Sequence, residues 1–488
     1  MHARIFLYSA LVVVALVAGC DRRPLSDSTI AEIDGEEITV REFAREFLFR
    51  PQFHPASKGS QAVREQYDKL VAEFLLAREA QRRKLHRDER IVQRLRWHER
   101  QAMREELYRQ KVANQVQVSE AELRQAFVRR HTTLRIRHLV VASEEEAWRL
   151  RARLEAGEAF EAVAAAVGPQ KGWPILLRWG EADPELEEAA YALHVGELSL
   201  PLKVKGEFHL IRLDDVSREA ILTEEDFQAE KRRLERIIRA RKEDRLAREY
   251  AAGLLKGMEV RVRGELFAFL VNSTRAALRD SVAQLPGKLP ALRDEELGQL
   301  ASSLQQRLGE PFVSIDGRQW TLGDFLRLVS SMPLDRRPHM HRPALFRQEL
   351  QDLIRDEFLA EQADREGLAK HPAVRAEVKR WRRILLAARM RSLLTDSLTL
   401  SEQELHTYYV KRRERYNLSQ SLEELGTQGV DLMREDALRA KADSLVAVFV
   451  AQLRQRAKIR MNEEAYRRAF EEVGGASASF IKVIPIGP

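Results

Sequence analysis

The chain has 488 residues, of which 44% are apolar, so it is long enough for roughly three folded domains rather than one. Its 82 Lys and Arg residues barely exceed its 75 Asp and Glu residues, and a net charge of +7 over this length gives no argument for a nucleic-acid partner. The single cysteine, Cys20, excludes an internal disulfide.

The first residues predict an export signal that ends at a lipidation site. An apolar run follows Arg4 and is shorter than the ~20 residues of a membrane-spanning helix. Val17-Ala18-Gly19-Cys20 then resembles the bacterial lipobox. Residues 1–19 are therefore expected to be a lipoprotein signal peptide, Cys20 to be lipidated, and residues 20–29 to be a tether. The alternatives are an ordinary signal peptide or an uncleaved anchor whose cysteine is incidental.

With such an anchor the protein would face an extracytoplasmic space such as the periplasm. The residues leave open whether the inner or the outer membrane holds it. Beyond the signal the sequence shows no second apolar run of spanning length, so the mature protein is expected to be tethered and not to cross the membrane.

A hairpin followed by a helix is predicted directly after the tether. Asp34-Gly35 is a strong tight-turn signal between two short strand-like pieces, Ile30 to Ile33 and Glu36 to Ile38. Thr39 and Glu42 then have the spacing of a capping box, which begins a helix.

Nearly the same hairpin sequence recurs at Ser314 to Phe325, and the likeness extends into the helices that follow. The corresponding segments are Phe74 to Leu85 with Phe358 to Leu368, Arg96-Trp97 with Arg380-Trp381, Ser119 to Leu123 with Ser401 to Leu405, and Phe127 with Tyr409. Their spacing stays within 282 to 284 positions, which indicates a duplicated structural module. Apolar residues three and four apart predict that most of each copy is amphipathic helix.

The two copies differ after Arg130, where the first one changes to strand-like runs such as Leu134 to Val141 and Phe208 to Leu213. They become similar again where Met258 to Val262 resembles Ala457 to Met461. The predicted fold class is therefore α+β: duplicated, mostly α-helical modules with one inserted α/β domain. The expected domains are a first helical module at 30–130, the insert at 131–216, a helical return and linker at 217–310, a second helical module at 311–416, and a C-terminal helical segment and tail at 417–488.

The insert resembles the parvulin (PpiC-like) family of peptidyl-prolyl cis-trans isomerases. The residues that carry this resemblance are Ile136 to Val141, Ala147 to Phe160, Glu187 to Ser199, Pro201-Leu202 and Phe208 to Ile211. The hairpin Ile33 to Phe43 is similar to the entry of the helical segments that flank this domain in secreted chaperones of the SurA and PrsA type.

The resemblance implies two catalytic histidines, His138 and His209. It places Leu186 where the family has a pocket phenylalanine, and Val204 where it has a threonine that hydrogen-bonds the histidines. Valine cannot make that bond. Each histidine could instead be a packing residue of the core.

An abbreviated loop, Val167 to Pro174, stands where the family carries an aspartate or a cysteine, and no residue here fills that role. Leu177 and Trp179 are candidates for an apolar wall of the substrate site. No cofactor is expected, since the sequence has no glycine-rich phosphate loop and no nucleophile elbow. His339 and His341 lack a partner cluster, so no metal site is expected either.

Three functions remain open. The resemblance implies a peptidyl-prolyl isomerase with client-binding helical modules, whose partners are unfolded or nascent secreted and outer-membrane proteins with Xaa-Pro segments. The second is a non-catalytic holdase chaperone that keeps a degenerate parvulin fold, which Val204 and Leu186 favour. The third is a structural or assembly lipoprotein with one dedicated partner.

Overall fold

The computed structural model describes residues 25–49, 60–168, 174–278, 291–413 and 426–477. The predicted signal peptide and Cys20 lie outside these residues, as do 169–173 of the abbreviated loop. The described part is mostly helical and contains three small sheets, so the α+β expectation is confirmed. In this part of the chain no helix combines the length and the apolar character that crossing a membrane requires.

The helices are α1 (Val40–Phe49), α2 (Ser60–Arg82), α3 (Glu89–Lys111), α4 (Glu120–Arg130), α5 (Glu144–Glu155), α6 (Phe160–Val167), α7 (Pro184–Ala192), α8 (Glu224–Leu255), α9 (Gly264–Ala277), α10 (Asp294–Ser303), α11 (Leu322–Ser331), α12 (Pro343–Arg365), α13 (Pro372–Thr395), α14 (Glu402–Arg412), α15 (Gly426–Arg456) and α16 (Glu463–Ser477). The strands are β1 (Thr29–Ile33), β2 (Glu36–Thr39), β3 (Thr132–Val141), β4 (Ile175–Arg178), β5 (Leu202–Val204), β6 (Glu207–Arg218), β7 (Val260–Val262), β8 (Pro311–Ile315), β9 (Arg318–Thr321) and β10 (Ile459–Met461).

The chain divides into two compact units. Unit 1 consists of Met1–Arg96 and Ala376–Pro488, and unit 2 consists of Trp97–Arg375. Each unit therefore contains the hairpin of one copy and the return strand of the other copy. The long helices α3 and α13 each contribute residues to both units.

Both predicted hairpins are confirmed, and each forms the centre and one edge of a three-stranded sheet. In unit 1 the order is β10-β1-β2, and in unit 2 it is β7-β8-β9. Both turns have positive φ at their two central residues, 50° and 88° at Asp34-Gly35 and 45° and 79° at Asp316-Gly317. This is the geometry of a two-residue hairpin whose twist matches that of its strands, and Asp-Gly tolerates it well.

The third strand of each sheet is exchanged between the copies. β7, which follows the first copy, pairs with β8 of the second, and β10, which follows the second copy, pairs with β1 of the first. The aspartate of each turn fixes this arrangement with two hydrogen bonds. Asp34 N–H donates to Lys458 O and its Oδ1 accepts from Lys458 N–H, at 2.9 and 2.8 Å. Asp316 makes the same two bonds with Glu259, at 3.3 and 3.0 Å.

A second repeated feature joins α4 to α8 and α14 to α15. A serine caps the shorter helix in a capping box, and a lysine of the longer helix contacts both the box glutamate and a carbonyl two residues before the serine. The sets are Ser119, Glu122, Lys242 and Gln117 in one copy, and Ser401, Glu404, Lys441 and Thr399 in the other. These two capping boxes were not predicted from the sequence, and they show that the duplication extends to side-chain contacts.

The two copies are equivalent along α2 and α12, but the structure pairs their residues one position away from the pairing predicted from the sequence. α2 is followed by Lys84 with φ 62°, and α12 is followed by Gly367 with φ 76°, so these left-handed residues are equivalent. Their spacing makes Leu75, and not Phe74, the counterpart of Phe358. The error arose because a phenylalanine-leucine pair occurs in both helices with a shift of one position.

The insert is a four-stranded antiparallel sheet of order β4-β3-β6-β5 in unit 2. Alternate residues of its strands point to opposite faces. One face packs on α5 and α6 through residues such as Leu139, Leu210 and Phe160, and the other packs on α7 through residues such as Ile136 and Ile211.

We predict that Asp316→Ala lowers the free energy of unfolding by about 1 kcal/mol, because Glu259 N–H loses its acceptor and alanine disfavours the left-handed conformation. Asp316→Asn keeps a side-chain oxygen and tolerates positive φ, so it should stay close to wild type. Urea denaturation measures the difference. Equal stability of the two variants would show that the hydrogen bond from Glu259 N–H to the Asp316 side chain contributes nothing.

Candidate active site

The two histidines singled out by the resemblance meet on the α7 face of the sheet. His138 lies on β3 and His209 on β6, offset diagonally, since His138 is opposite Ile211 and His209 is opposite Val140. Their rings stack with centroids 4.9 Å apart and an interplanar angle of 15°. His138 Nε2 and His209 Nδ1 are 2.7 Å apart, so one of these nitrogens donates a hydrogen bond to the other.

His138 of this pair is held in its neutral form at neutral pH. Burial, and next the neighbouring His209, lower the pKa of His138 from 6.5 to about 4. A neutral imidazole offers one donor and one acceptor. His138 can therefore take part in hydrogen bonding without introducing a charge into the site.

One nitrogen of the pair has an unmet hydrogen-bonding capacity. His209 Nε2 is buried and has no partner among the residues that the structure describes. On the neighbouring strand Leu202 is directly opposite His209, and Val204, two residues further, points to the same face and is only 4% exposed. An apolar side chain thus stands where the resemblance places a threonine, in agreement with the expectation that Val204 makes no such bond.

Leu186 and Leu177 belong to one buried apolar layer beneath α7. The other buried members of this layer are Leu134, Ile136, Ala190, Ile211 and Leu213. Leu186 is 9% exposed and Leu177 is 4% exposed, so both lie inside this layer, on the face of the sheet that also carries the histidines. The structure places these two residues in one layer, and the pocket role that the resemblance implies for Leu186 stays a prediction.

Trp179 lies in a different cluster. It packs with α4 and α8 through residues such as Phe127 and Phe227, and the guanidinium of Arg241 is 4.5 Å from its ring centroid. The structure therefore does not bring Trp179 together with Leu177 and Leu186. The interpretation of residues 177 and 179 as one apolar wall overlooked that the end of β4 turns towards α8.

Glu187 is a positioning residue that the site reasoning missed. It is fully buried, and its carboxylate accepts hydrogen bonds from the N–H groups of three successive residues, Gly180 to Ala182. It also pairs with Arg241 of α8 at 2.6 Å. Glu187 thereby fixes the turn after β4 and the start of α7 to α8. Its place in the Glu187 to Ser199 motif was the available signal.

The described residues contain no group of three or more histidine, cysteine, aspartate or glutamate side chains that could hold a metal ion. His339 of the weighed histidine pair is hydrogen-bonded to Glu349, with His339 Nδ1 2.6 Å from Glu349 Oε1. Its side chain therefore has a structural partner.

Comparison with known proteins agrees with this geometry. Residues 118–229 match a family model described as a PPIC-type PPIASE domain. The foldase protein PrsA of Oceanobacillus iheyensis is 27% identical over 181 residues, which cover 35% of this chain and 60% of the relative. PrsA of Caldanaerobacter subterraneus is 26% identical over 257 residues, covering 44% of this chain and 84% of the relative. A parvulin-like PPIase of Rickettsia prowazekii is 30% identical over 102 residues, covering 19% and 36%.

Among solved structures, a SurA-like chaperone of Campylobacter jejuni aligns at 16% identity and a TM-score of 0.22, covering 48% of this chain and 100% of that one. PrsA of Bacillus cereus aligns at 18% identity and a TM-score of 0.21, covering 45% and 87%. The chain spans about 60% of the length of the first curated relative that it matches. The resemblance of the insert to the parvulin-type isomerases is confirmed by the family match.

We predict a pH dependence that originates at His138. Because its pKa is lower in the folded protein than the unfolded value of 6.5, neutral His138 contributes stability above pH 6.5, and this contribution is lost as the pH falls towards 4. His138→Gln should remove that part of the decline in the free energy of unfolding. His194→Gln, at a side chain that is 93% exposed, is the control and should follow wild type. Identical slopes for all three proteins would contradict the assignment.

We also predict that Val204→Thr stabilises the protein by about 1 kcal/mol, because the hydroxyl supplies the partner that buried His209 Nε2 lacks. Val141→Thr places a hydroxyl on the opposite, apolar face and should destabilise by about 1–3 kcal/mol. Thermal or urea unfolding distinguishes them. Equal destabilisation by the two substitutions would mean that residue 204 does not reach His209.

Proposed function

We propose that this chain, which carries a PPIC-type peptidyl-prolyl isomerase domain, is a lipid-anchored, extracytoplasmic foldase. It binds unfolded or nascent secreted proteins and isomerises Xaa-Pro bonds in them. The observation that carries the proposal is the hydrogen-bonded pair of His138 and His209 on the face of the insert that Leu186 borders.

Such a site suits the chemistry of prolyl isomerisation. The Xaa-Pro amide resists rotation because of its partial double-bond character, with a barrier of ~18–20 kcal/mol for peptide bonds. No covalent bond breaks, so a catalyst needs only to bind the twisted amide more tightly than the planar one. An apolar surface for the proline ring and fixed, uncharged hydrogen-bonding groups meet that need.

The roles of the residues follow from their chemistry. His138 and His209 orient each other through their hydrogen bond, and His209 Nε2 has capacity left for a further partner. Leu186 and Val204 give the pair an apolar surrounding on its face of the sheet, and Leu177 packs in the same buried layer as Leu186. The role proposed for the pair is hydrogen bonding to the twisted amide, which needs no proton transfer.

The anchor and the location are further parts of the proposal. Val17 to Cys20 resembles a lipobox, so Cys20 would carry the lipid that holds the protein on a membrane facing an extracytoplasmic space. The relatives named as foldase PrsA support the assignment of this chain to protein folding. Unfolded polypeptides, including those with Xaa-Pro segments, are the proposed clients.

The helical modules are the proposed client-binding part. We keep the division made from the sequence, with helical modules at 30–130 and 311–416, the isomerase insert at 131–216, a return and linker at 217–310, and a C-terminal segment at 417–488. The repeated hairpins and capping boxes support treating the two modules as equivalent.

An isomerisation assay tests the activity. Protein beginning at Asp21 is mixed with a series of Xaa-Pro peptides, and the cis-trans rate is compared with the uncatalysed rate. We expect a rate above background that falls at least tenfold in His138→Ala and in Leu186→Ala, because the former breaks the pair and the latter opens the apolar layer. His194→Ala is the matched control and should keep the rate.

A holdase without isomerase activity is the second candidate, and one observation favours it. Val204 leaves His209 Nε2 buried and unpartnered among the described residues, so the histidine pair lacks an anchor that the resemblance implies. Folded protein that suppresses aggregation of an unfolded client, but gives only the background rate with every Xaa-Pro peptide, would establish the holdase and refute the isomerase.

A further inference from the structure

Unit 2 contains an apolar groove outside the insert. It lies between the end of α8, strand β7 and helix α12, and has a volume of about 500 Å³. Met258, Val260, Val262, Leu350 and Ile354 supply most of its apolar lining. Val260 is 43% exposed and Val262 is 38% exposed, which is unusual for paired valines of a strand.

At the equivalent positions of unit 1, side chains of the chain contact one another. There Asp68 of α2 pairs with Arg454 of α15 at 2.7 Å, and Arg64 lies 3.6 Å from the same carboxylate. Tyr67 also packs edge-on against Tyr466, with ring centroids 5.5 Å apart. The ion pair joins the return helix α15 to α2, and the tyrosine pair joins α16 to α2.

In unit 2 the counterpart of the Asp68–Arg454 ion pair cannot form, because both of its residues differ. The repeat register places Gln351 where unit 1 has Asp68, and Leu255 where it has Arg454. The counterpart of Arg64 is Arg347, which is exposed and has no ion-pair partner among the described residues. The groove of unit 2 thus retains the cation and lacks the acid.

The edge of β7 is also available for pairing. Glu259 O and Arg263 N–H bond to the β8 side of the sheet, so by alternation the backbone groups of Val260 and Val262 point away from it. The order β7-β8-β9 makes β7 an outer strand. Its outward N–H and C=O groups have no backbone partner among the described residues.

We propose that this groove binds an extended client segment with bulky apolar side chains and one acidic residue. The segment adds to the open edge of β7, places alternate apolar side chains against Val260 and Val262, and supplies Arg347 with the carboxylate that Asp68 supplies to Arg64 in unit 1. The proposal rests on the proposed chaperone function and names a client class that does not require proline.

The three features agree on one ligand. Outward backbone groups select an extended chain, because helices use their own backbone groups internally. The volume holds a few side chains of the Val or Leu type, and Arg347 at the rim favours an acid over a lysine. A second copy of this chain is the competing occupant, and the experiment separates it.

The test uses the full chain and a fluorescein-labelled heptapeptide that has Val at alternate positions, one Asp and no proline. Fluorescence anisotropy gives the Kd. Val260→Pro removes an outward N–H without touching the β8 pairing, so it should weaken binding about fivefold. Ile459→Pro makes the matched change at the edge of β10 in unit 1 and should leave the Kd unchanged.

A charge reversal provides the second arm. Arg347→Glu should weaken the Asp peptide about threefold and strengthen a peptide with Lys in place of Asp by a similar factor. Such a crossover is expected only if residue 347 faces the ligand. If neither Val260→Pro nor Arg347→Glu changed the Kd, the groove would not be the binding site and the proposal would be refuted. Peptide binding by the wild-type protein would in that case still support the chaperone function.

Two further outcomes separate the failures. Wild-type protein that binds no peptide but still suppresses client aggregation would refute only the proposal that the groove binds clients. Wild-type protein that neither binds the peptide nor suppresses aggregation would also refute the proposed function. Sedimentation velocity that shows a dimer abolished by Val260→Pro would assign the edge to a second copy and overturn the peptide proposal.

Discussion

The architecture depends on the need of a two-stranded hairpin for a third strand. An isolated hairpin is at best marginally stable in water, and its edge leaves a row of backbone groups unpaired. Each hairpin here obtains its third strand from the segment that follows the other copy. The aspartate of each turn binds the residue before that strand with two hydrogen bonds, one donated by its backbone N–H and one accepted by its side chain. Neither unit can therefore complete its sheet with the residues of one copy alone.

The insert is held by a second constraint, a buried charge. Glu187 is removed from water, and this is tolerated because three N–H groups and Arg241 satisfy its oxygens. Tyr191 adds to the same junction, with its hydroxyl 2.8 Å from the carbonyl oxygens of both Arg129 and Thr132, and burial raises its pKa to about 12. The histidine face thus rests on a helix, α7, that is locked to its neighbours on both sides.

The sequence predicted the local elements well, since hairpin turns and helix starts depend on a few neighbouring residues such as Asp34-Gly35 and Thr39. It also placed His138 and His209 together through the parvulin resemblance. It could not show which strand completes each sheet, because β7 and β10 are nearly interchangeable in sequence and only the fold selects between them. Trp179 was misplaced for a similar reason: its partners Phe127 and Phe227 are distant in sequence.

Histidine nitrogen chemical shifts during titration with a Xaa-Pro peptide test the central claim most directly, namely that the His138–His209 face receives proline-containing clients. The test applies to an isomerase and to a holdase alike. The account predicts that the His209 Nε2 resonance shifts with saturation, since this nitrogen has capacity for a partner, and that the exposed His194 does not respond. Saturable peptide binding that leaves both histidines of the pair unchanged would contradict it.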